Sequence, residues 1–144
     1  MNPSESALQL NAVRTRVLAM PMAQTLGLAF EALAPGEVAL SAPIQDGWCF
    51  APGQLQATAM FSLADFAAVA AAATLLPQGW ANSTVDASVK FIAPARGERL
   101  RAHGRVVQAG KSLTVCAADV YALDGPHETL CATLLGTARN FAPR

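Results

Sequence analysis

The longest apolar stretch of the chain runs from Ala57 to Leu76, and its few polar residues recur at helical spacing. Those polar residues are Thr58, Ser62, Asp65 and Thr74. Together with Gln54, the first three are spaced i, i+4, i+8 and i+11, which places them along one face of an α-helix. We therefore predict a helix over about residues 54–76 that is buried nearly all round and carries one narrow polar stripe.

The rest of the chain favours one further helix and several strands. Residues 4–20 have an amphipathic helical pattern that ends at Pro21. After Gly79, apolar and polar residues alternate with a period of two, which is typical of strands with one buried face. We expect strands at about 28–33, 37–43, 84–93, 100–106, 112–122 and 129–139.

Short turns between the later strands imply antiparallel neighbours, and one antiparallel sheet can bury a helix by curving round it. The pattern therefore predicts an α+β fold of the hot-dog type, with an antiparallel sheet wrapped around a long central helix. The many alanines of that helix would allow the sheet to approach closely. At 144 residues, we expect residues 1–144 to form a single domain.

Composition narrows the classes of partner. The chain is 53% hydrophobic and 14% charged, and its formal net charge is zero. A surface so poor in charge favours coverage by another subunit, so we expect a homo-oligomer. A neutral chain is not typical of nucleic-acid-binding proteins, which are usually basic, and it has no electrostatic attraction to an anionic membrane.

The cysteines and the N-terminal segment indicate where the protein works. Cys49, Cys116 and Cys131 are odd in number and lack metal-ligand spacing, which favours reduced thiols and no metal site. The N-terminal segment has no apolar core of the kind a signal peptide needs. We therefore predict a cytoplasmic protein that needs no cofactor. Asp65, near the middle of the 57–76 run, favours a buried helix over a membrane span.

Asp65 is the strongest candidate for chemistry, because a carboxylate in apolar surroundings is costly unless partners compensate. Two interpretations remain open: a catalytic acid or base, and a structural carboxylate within an interface. Thr58 and Ser62 either hydrogen-bond carbonyl groups of the preceding helical turn or line a polar pocket with Asp65.

Two segments of the chain resemble a known family. Residues 52–65, PGQLQATAMFSLAD, are similar to the helix-start motif of PaaI-type hot-dog acyl-CoA thioesterases. Residues 91–97, FIAPARG, followed by alternating small and apolar residues and then by Gly110-Lys111-Ser112, are similar to the strand–turn–strand motif of the same family. The resemblance extends over about residues 25–140.

The resemblance implies roles for particular residues. Asp65 matches the catalytic carboxylate, which acts as a general base on water or as a nucleophile on the thioester. Thr84 matches a hydroxyl, contributed by another subunit, that helps to place the water. The residues implied in coenzyme A binding are Phe91, Ile92, Pro94, Arg96, Gly110, Lys111 and Ser112. The family forms dimers or dimers of dimers with active sites shared between subunits.

The helix start differs from the family pattern. The family commonly has His-Gly-Gly where this chain has Gln56, Ala57 and Thr58. The backbone N–H of Ala57 is a candidate oxyanion donor, since a helix N-terminus supplies free amides, and the side-chain amide of Gln56 could donate where the histidine would. Phe50 replaces a common asparagine and either anchors its loop on the core or lines the acyl pocket with Thr58 and Ser62.

A row of basic side chains follows one predicted strand. Its members are Arg99, Arg101, His103 and Arg105. We expect a solvated outer face of the sheet, with binding of coenzyme A phosphates as the alternative, because arginine suits phosphate geometry.

These features predict a thioesterase that hydrolyses a small or aromatic acyl-CoA, with a coenzyme A thioester and further copies of the chain as partners. Two alternatives remain open. One is a non-catalytic protein of the same fold that binds acyl-CoA or a small aromatic ligand. The other is a structural oligomerisation module in which Asp65 is only an interface tether. A cavity at Asp65 would separate the first two functions from the third.

Overall fold

The computed structural model describes residues 2–144, which form three α-helices and eight strands. The helices are α1 (Pro3–Ala19), α2 (Pro21–Leu26) and α3 (Ala57–Ala73). The strands are β1 (Ala29–Ala34), β2 (Glu37–Pro43), β3 (Cys49–Ala51), β4 (Gln54–Leu55), β5 (Ala81–Phe91), β6 (Arg99–Gln108), β7 (Leu113–Asp124) and β8 (His127–Phe141). The helices and strands that the periodicity predicted are thus present.

Six of the strands form one antiparallel sheet in the order β1-β2-β6-β7-β8-β5, and β3 pairs with β4 in a separate small hairpin. The sheet wraps around α3, which contacts β2, β5, β6, β7 and β8. The predicted hot-dog arrangement is confirmed. Strands β1 and β5 lie at the two edges, so one side of β5 has no strand beside it in this chain.

Small residues allow the close contact between α3 and the sheet. A Cβ atom added to Gly104 of β6 would lie 2.1 Å from the carbonyl oxygen of Ala67 in α3, a distance that no real pair of atoms tolerates. The helix backbone therefore rests directly on the backbone of β6. Ala64, Ala67 and Ala68 are fully buried at this contact, so larger side chains on either element would push the helix off the sheet.

Helices α1 and α2 cover the part of the core that the sheet leaves open. Val13, Val17 and Leu26 belong to the same hydrophobic cluster as α3 and the inner face of the sheet. The fully buried Gln9 donates from Nε2 to the carbonyl oxygen of Ala73, over 2.9 Å, which links α1 to the C-terminal end of α3.

Two helix boundaries differ from the sequence prediction. The central helix begins at Ala57, not near residue 54, because Gln54 and Leu55 form β4 and are held extended. The Leu55 N–H donates to the Ala95 carbonyl, and the Gln56 N–H donates to the Trp48 carbonyl. The prediction that Gln54 belongs to the polar helical stripe was therefore wrong. The same helix ends at Ala73 rather than at residue 76.

The N-terminal region contains one helix more than predicted. Helix α1 spans Pro3–Ala19, close to the expected 4–20, but Pro21 also begins α2. Proline suits the first position of a helix because its missing N–H has no partner there and its φ angle is already helical. Helix α2 ends at Gly27, which has a φ of 70° and turns the chain into β1.

Candidate active site

Asp65 lies at the middle of α3 and faces Thr84 of β5. The Thr84 hydroxyl donates a hydrogen bond of 2.8 Å to Oδ1 of Asp65. Burial raises the pKa of the Asp65 carboxyl, and the hydrogen bond from Thr84 opposes this rise. A carboxylate whose pKa is raised towards neutrality is a better general base than an ordinary aspartate.

A bulge in β5 places the Thr84 side chain. Thr84 pairs with Ala138 and Asp86 with Thr137, so Val85 is the extra residue. The bulge keeps both Thr84 and Ala87 on the inner face of the sheet, although a regular strand would turn residues three apart to opposite faces. The resemblance implied a hydroxyl from another subunit, whereas the structure shows Thr84 bonded to Asp65 of its own chain.

Asp65 lines a cavity of about 450 Å³ between α1, α3 and the start of β5, which we call the Asp65 cavity. Most of its wall is apolar, with Val13 and Val17 from α1 and Phe61, Phe66 and Val69 from α3. Ser62 also lines it, and its hydroxyl donates to the Thr58 carbonyl over 3.0 Å, so both interpretations of this residue hold in the structure.

A second cavity, of about 540 Å³, lies beside the N-terminal end of α3, and we call it the helix-start cavity. Gln56, Thr58 and Trp48 are among the residues that line it. Met22 and Ser62 line both cavities, so the two adjoin along one face of α3. The predicted pocket residues Thr58 and Ser62 thus follow a continuous groove towards Asp65.

The start of α3 offers free backbone donors. Gln56 is the N-cap residue, and its side chain makes no capping hydrogen bond. The first N–H groups of a helix have no partner within the helix and lie at the positive end of its dipole, which suits an oxyanion. However, Ala57 and Asp65 are eight residues apart, or about 12 Å along the helix axis at 1.5 Å per residue. Within one chain, the Ala57 N–H and the Asp65 carboxylate therefore do not reach the carbonyl group of the same substrate molecule.

The two predicted coenzyme A segments lie at opposite ends of β5. Residues Phe91, Ile92, Pro94 and Arg96 adjoin the helix start, where the Leu55 N–H donates to the Ala95 carbonyl. The Gly110-Lys111-Ser112 turn adjoins the start of β5, because Asn140, the partner of Asn82, donates to the Gly110 carbonyl over 2.9 Å. Asn82 and Phe91 are nine residues apart, about 30 Å along a strand. One chain therefore does not bring the two segments together.

Other predicted residues lie away from both cavities. Phe50 is 65% exposed and lines a separate depression in its own loop. The nearby Trp48, by contrast, packs against the core and lines the helix-start cavity. The basic row of β6 lies on the outer face of the sheet, as expected. There, Arg101 pairs with Glu31 over 2.6 Å and with Glu128 over 3.6 Å.

Within residues 2–144, the thiol near Asp65 has a raised pKa and no cluster of metal-ligating side chains is found. Cys116 is fully buried, and burial together with the nearby Asp65 charge raises the pKa of its thiol to about 11. It therefore stays protonated and is a poor nucleophile. Among residues 2–144, no three His, Cys, Asp or Glu side chains converge to hold a metal ion. No helix within this part of the chain is long and apolar enough to cross a membrane.

Comparison with known proteins places the chain in a family. Residues 57–128 match the thioesterase superfamily. The chain is also 32% identical to a thioesterase family protein from Silicibacter pomeroyi, with a TM-score of 0.88 over 94% of this chain and 98% of that one. The chain belongs to the thioesterase superfamily. No curated protein matches it significantly.

Other solved structures with lower sequence identity share the fold. The PaaI protein of Escherichia coli, from the phenylacetic acid degradation operon, is 18% identical and has a TM-score of 0.84 over 96% of this chain and 97% of that one. A thioesterase from Haemophilus influenzae is 17% identical and has a TM-score of 0.78 over 88% of this chain and 86% of that one. The resemblance to PaaI-type proteins is thus confirmed at the level of the fold.

Three polar residues of this superfamily member line the Asp65 cavity and were missed from the sequence. They are Arg16 of α1 and Asn82 and Ser83 of β5. Arg16 had a detectable signal, since Val13, Arg16, Val17 and Met20 are spaced i, i+3, i+4 and i+7, which places a charge within the apolar stripe of α1. Asn82 and Ser83 had none, because both precede the strand predicted from about residue 84, although β5 begins at Ala81.

Proposed function

We propose that this member of the thioesterase superfamily hydrolyses acyl-CoA thioesters, with Asp65 as the general base or nucleophile. The observation that carries the proposal is the position of Asp65: a half-buried carboxylate, bonded to Thr84, in the wall of a largely apolar cavity. A purely structural tether would not need such a cavity. Burial raises the pKa of this carboxyl, as a general base requires.

The chemistry needs few groups. As a general base, Asp65 takes a proton from water while the water oxygen attacks the thioester carbonyl carbon. The negative charge on the carbonyl oxygen is stabilised by donors at a helix start, for which we assign the Ala57 N–H and, as a second donor, the side-chain amide of Gln56. The carbon–sulfur bond then breaks, and coenzyme A leaves as a thiol after receiving the proton. Thr84 holds the carboxylate in place.

A homodimer would complete this site. The helix-start donors lie about 12 Å from Asp65 along the helix axis, so one chain supplies each half in a different place. Strand β5 is a free edge of the sheet in this chain and carries exposed apolar side chains, with Val85 at 55% exposure and Phe91 at 48%. Antiparallel pairing of two β5 edges about a two-fold axis would set the start of one strand beside the end of the other.

The same pairing supports the coenzyme A site. It would bring Gly110, Lys111 and Ser112 of one subunit near Phe91, Ile92, Pro94 and Arg96 of the other, because these segments lie at opposite ends of β5. Lys111 and Arg96 would then contact phosphate groups of coenzyme A, while the exposed Phe91 and Ile92 line the path of its pantetheine arm. We propose a dimer or a dimer of dimers on this basis.

The Asp65 cavity suits the acyl group. Its volume of about 450 Å³ lies within the range of small-molecule pockets, about 300–1,000 Å³. Phe61 and Phe66 offer ring faces to an acyl chain or an aromatic ring. The second candidate function is non-catalytic binding of acyl-CoA, which is favoured by the side chains of Ala57 and Thr58 where relatives of the PaaI type commonly carry glycine.

A panel of coenzyme A thioesters tests the proposal. Purified protein is incubated with acetyl-, hexanoyl-, benzoyl- and phenylacetyl-CoA, and the released thiol is measured with a disulfide reagent. We expect turnover with at least one of them, absent from the Asp65→Asn variant. Tight binding of the esters without thiol release, measured by calorimetry, would assign the protein to the non-catalytic function. Absence of both binding and release would contradict either function.

A further inference from the structure

Arg16 is the only cation that lines the Asp65 cavity among residues 2–144. It lies in the last turn of α1, within the apolar stripe formed by Val13, Val17 and Met20, and is half-buried. A charge in such a stripe loses water on folding, and this loss is unfavourable unless another group compensates. A hydrogen-bond acceptor or an anion inside the cavity or at its mouth would compensate Arg16 for this loss.

The chain itself satisfies few of the hydrogen-bond donors of Arg16. One terminal nitrogen of Arg16 donates to the Trp80 carbonyl over 3.2 Å. Within residues 2–144 no carboxylate lies at ion-pair distance from Arg16, and its remaining N–H groups have no hydrogen-bond acceptor. A guanidinium carries five N–H donors. Most of its capacity to bind an anion is therefore unused in the free chain.

Arg16 and Asp65 lie at different depths of the cavity. Trp80 immediately precedes β5, and Thr84 is the fourth residue of that strand, so the two lie about 13 Å apart at the rise of a strand. Arg16 is hydrogen-bonded to Trp80, whereas Asp65 is hydrogen-bonded to Thr84, so the two charged groups are separated along this segment. Apolar side chains such as Val69 and Phe66 form the wall of the same cavity. The cavity thus combines a carboxylate, an apolar wall and, beside the residue that precedes β5, a cation.

We propose that Arg16 is a specificity-determining residue that selects acyl groups with a carboxylate at the end remote from the thioester. The proposal rests on the function proposed above, since it assumes that the thioester carbonyl lies at Asp65. The apolar part of the cavity would hold the methylene chain or ring of such an acyl group. A planar guanidinium binds a carboxylate through two parallel hydrogen bonds, a geometry that a neutral methyl terminus does not satisfy.

The test uses N-acetylcysteamine thioesters, which lack the phosphates of coenzyme A and so remove the other source of anions. Adipoyl and suberoyl monothioesters are compared with the matched hexanoyl and octanoyl esters. For the wild-type protein we expect kcat/KM to be about tenfold higher for the carboxylate-bearing ester of the better pair, the scale of a hydrogen bond to a charged group. Arg16→Gln should abolish or invert that preference, and Arg16→Lys should keep part of it.

Arg14→Gln is the matched control, because Arg14 lies on the same helix but stacks on Phe30 and does not line the cavity. It should leave the preference unchanged. Equal losses on both esters in Arg16→Gln would mean that Arg16 only supports α1, and would overturn the proposal. An effect confined to coenzyme A esters, whatever their acyl group, would assign Arg16 to phosphate binding and overturn it as well.

A binding measurement separates this proposal from the proposed function. Calorimetry with the Asp65→Asn variant, which retains Arg16, compares the adipoyl and hexanoyl esters without turnover. Tighter binding of the adipoyl ester, lost when Arg16→Gln is added, supports the role of Arg16 even if the wild-type protein hydrolyses no thioester. Equal binding of the two esters overturns it.

Discussion

The two halves of the groove along α3 are built differently. At the Asp65 end, the carboxylate has a defined partner in Thr84, apolar walls and a raised pKa. At the helix start, the backbone donors have no side-chain cap, and the adjoining cavity is lined by a loop as well as by helices. The proposed base is therefore held by groups of its own chain, whereas the proposed oxyanion donors have no partner side chain there. On the proposed mechanism, each chain would supply half of two sites that are shared with a second subunit.

The largest effect is expected when the proposed base at the Asp65 end of the groove is removed. Asp65→Asn keeps the shape of the side chain and an oxygen that can accept from Thr84, but it removes the proton acceptor. We expect thioester turnover to fall at least about 100-fold, the usual scale for a general base. The measurement is thiol release at saturating ester. Ser62→Ala, in the same groove, is the control and should stay within a few-fold of wild type.

The same variant has a stability consequence whose sign follows from the pKa. Because burial raises the pKa of Asp65 above its ordinary value, the ionised group destabilises the fold at neutral pH. This penalty disappears as the pH falls through the raised pKa to the ordinary value of 3.8. Thermal unfolding should therefore show Asp65→Asn at least as stable as wild type at pH 7, with the difference vanishing in acid. A less stable variant at pH 7 would give Asp65 a structural role.

The helix-start half is tested by removing one N–H. Proline at Ala57 deletes the backbone donor while preserving the helix, since proline suits the first helical position and Gln56 already has the extended conformation that precedes proline (φ −62°, ψ 137°). We expect kcat to fall by about 100-fold, as for an oxyanion donor. Ala57→Gly, which keeps the N–H, should stay near wild type. Unchanged kcat in the proline variant would exclude this donor.

Co-expression of the Asp65→Asn and Ala57→Pro chains tests whether Asp65 of one subunit acts together with Ala57 of the other. If Asp65 of one subunit acts with Ala57 of the other, a hybrid dimer of Asp65→Asn and Ala57→Pro chains contains one intact site. Random pairing should then restore about a quarter of wild-type activity. Each variant expressed alone supplies the baseline. No recovery in hybrids isolated with two different affinity tags would place both groups in one chain.

A smaller effect is expected at the proposed coenzyme A site. Lys111→Ala should raise KM for a coenzyme A ester about tenfold, with kcat little changed, because phosphate contacts act alike in the ground and transition states. An N-acetylcysteamine ester lacks the phosphates and serves as the control substrate. Equal loss on both substrates would indicate that Lys111 supports the fold of its turn instead.

The smallest expected effect concerns the tuning of Asp65. Thr84→Val keeps the shape of the side chain but removes the hydrogen bond that lowers the pKa of the carboxyl. The acidic limb of the profile of kcat/KM against pH should then move to higher pH, because Asp65 must be ionised to accept a proton. Ser83→Ala, at the neighbouring position, is the control. An unmoved limb would mean that a group other than Asp65 governs the profile.

Much of the fold was predictable from local pattern. The run from Ala57 to Leu76 predicted a buried helix, and the period of two after Gly79 predicted strands, because both patterns follow directly from which faces are buried. The pattern also placed Thr58, Ser62 and Asp65 on one helical face, where they line the groove. It failed at Gln54, whose extended conformation depends on hydrogen bonds of its neighbours to Ala95 and Trp48, which lie outside the helical run in sequence.

The sequence by itself determined the helices and strands and marked Asp65 as unusual, because periodicity records which side of each element avoids water. Only the tertiary structure decided that Thr84 bonds Asp65, since that contact depends on a bulge at Val85 and on β5 lying at the sheet edge. It also decided that Arg16 shares a cavity with Asp65. Contacts between residues far apart in the chain are set by packing of whole elements, and local periodicity does not specify which elements meet.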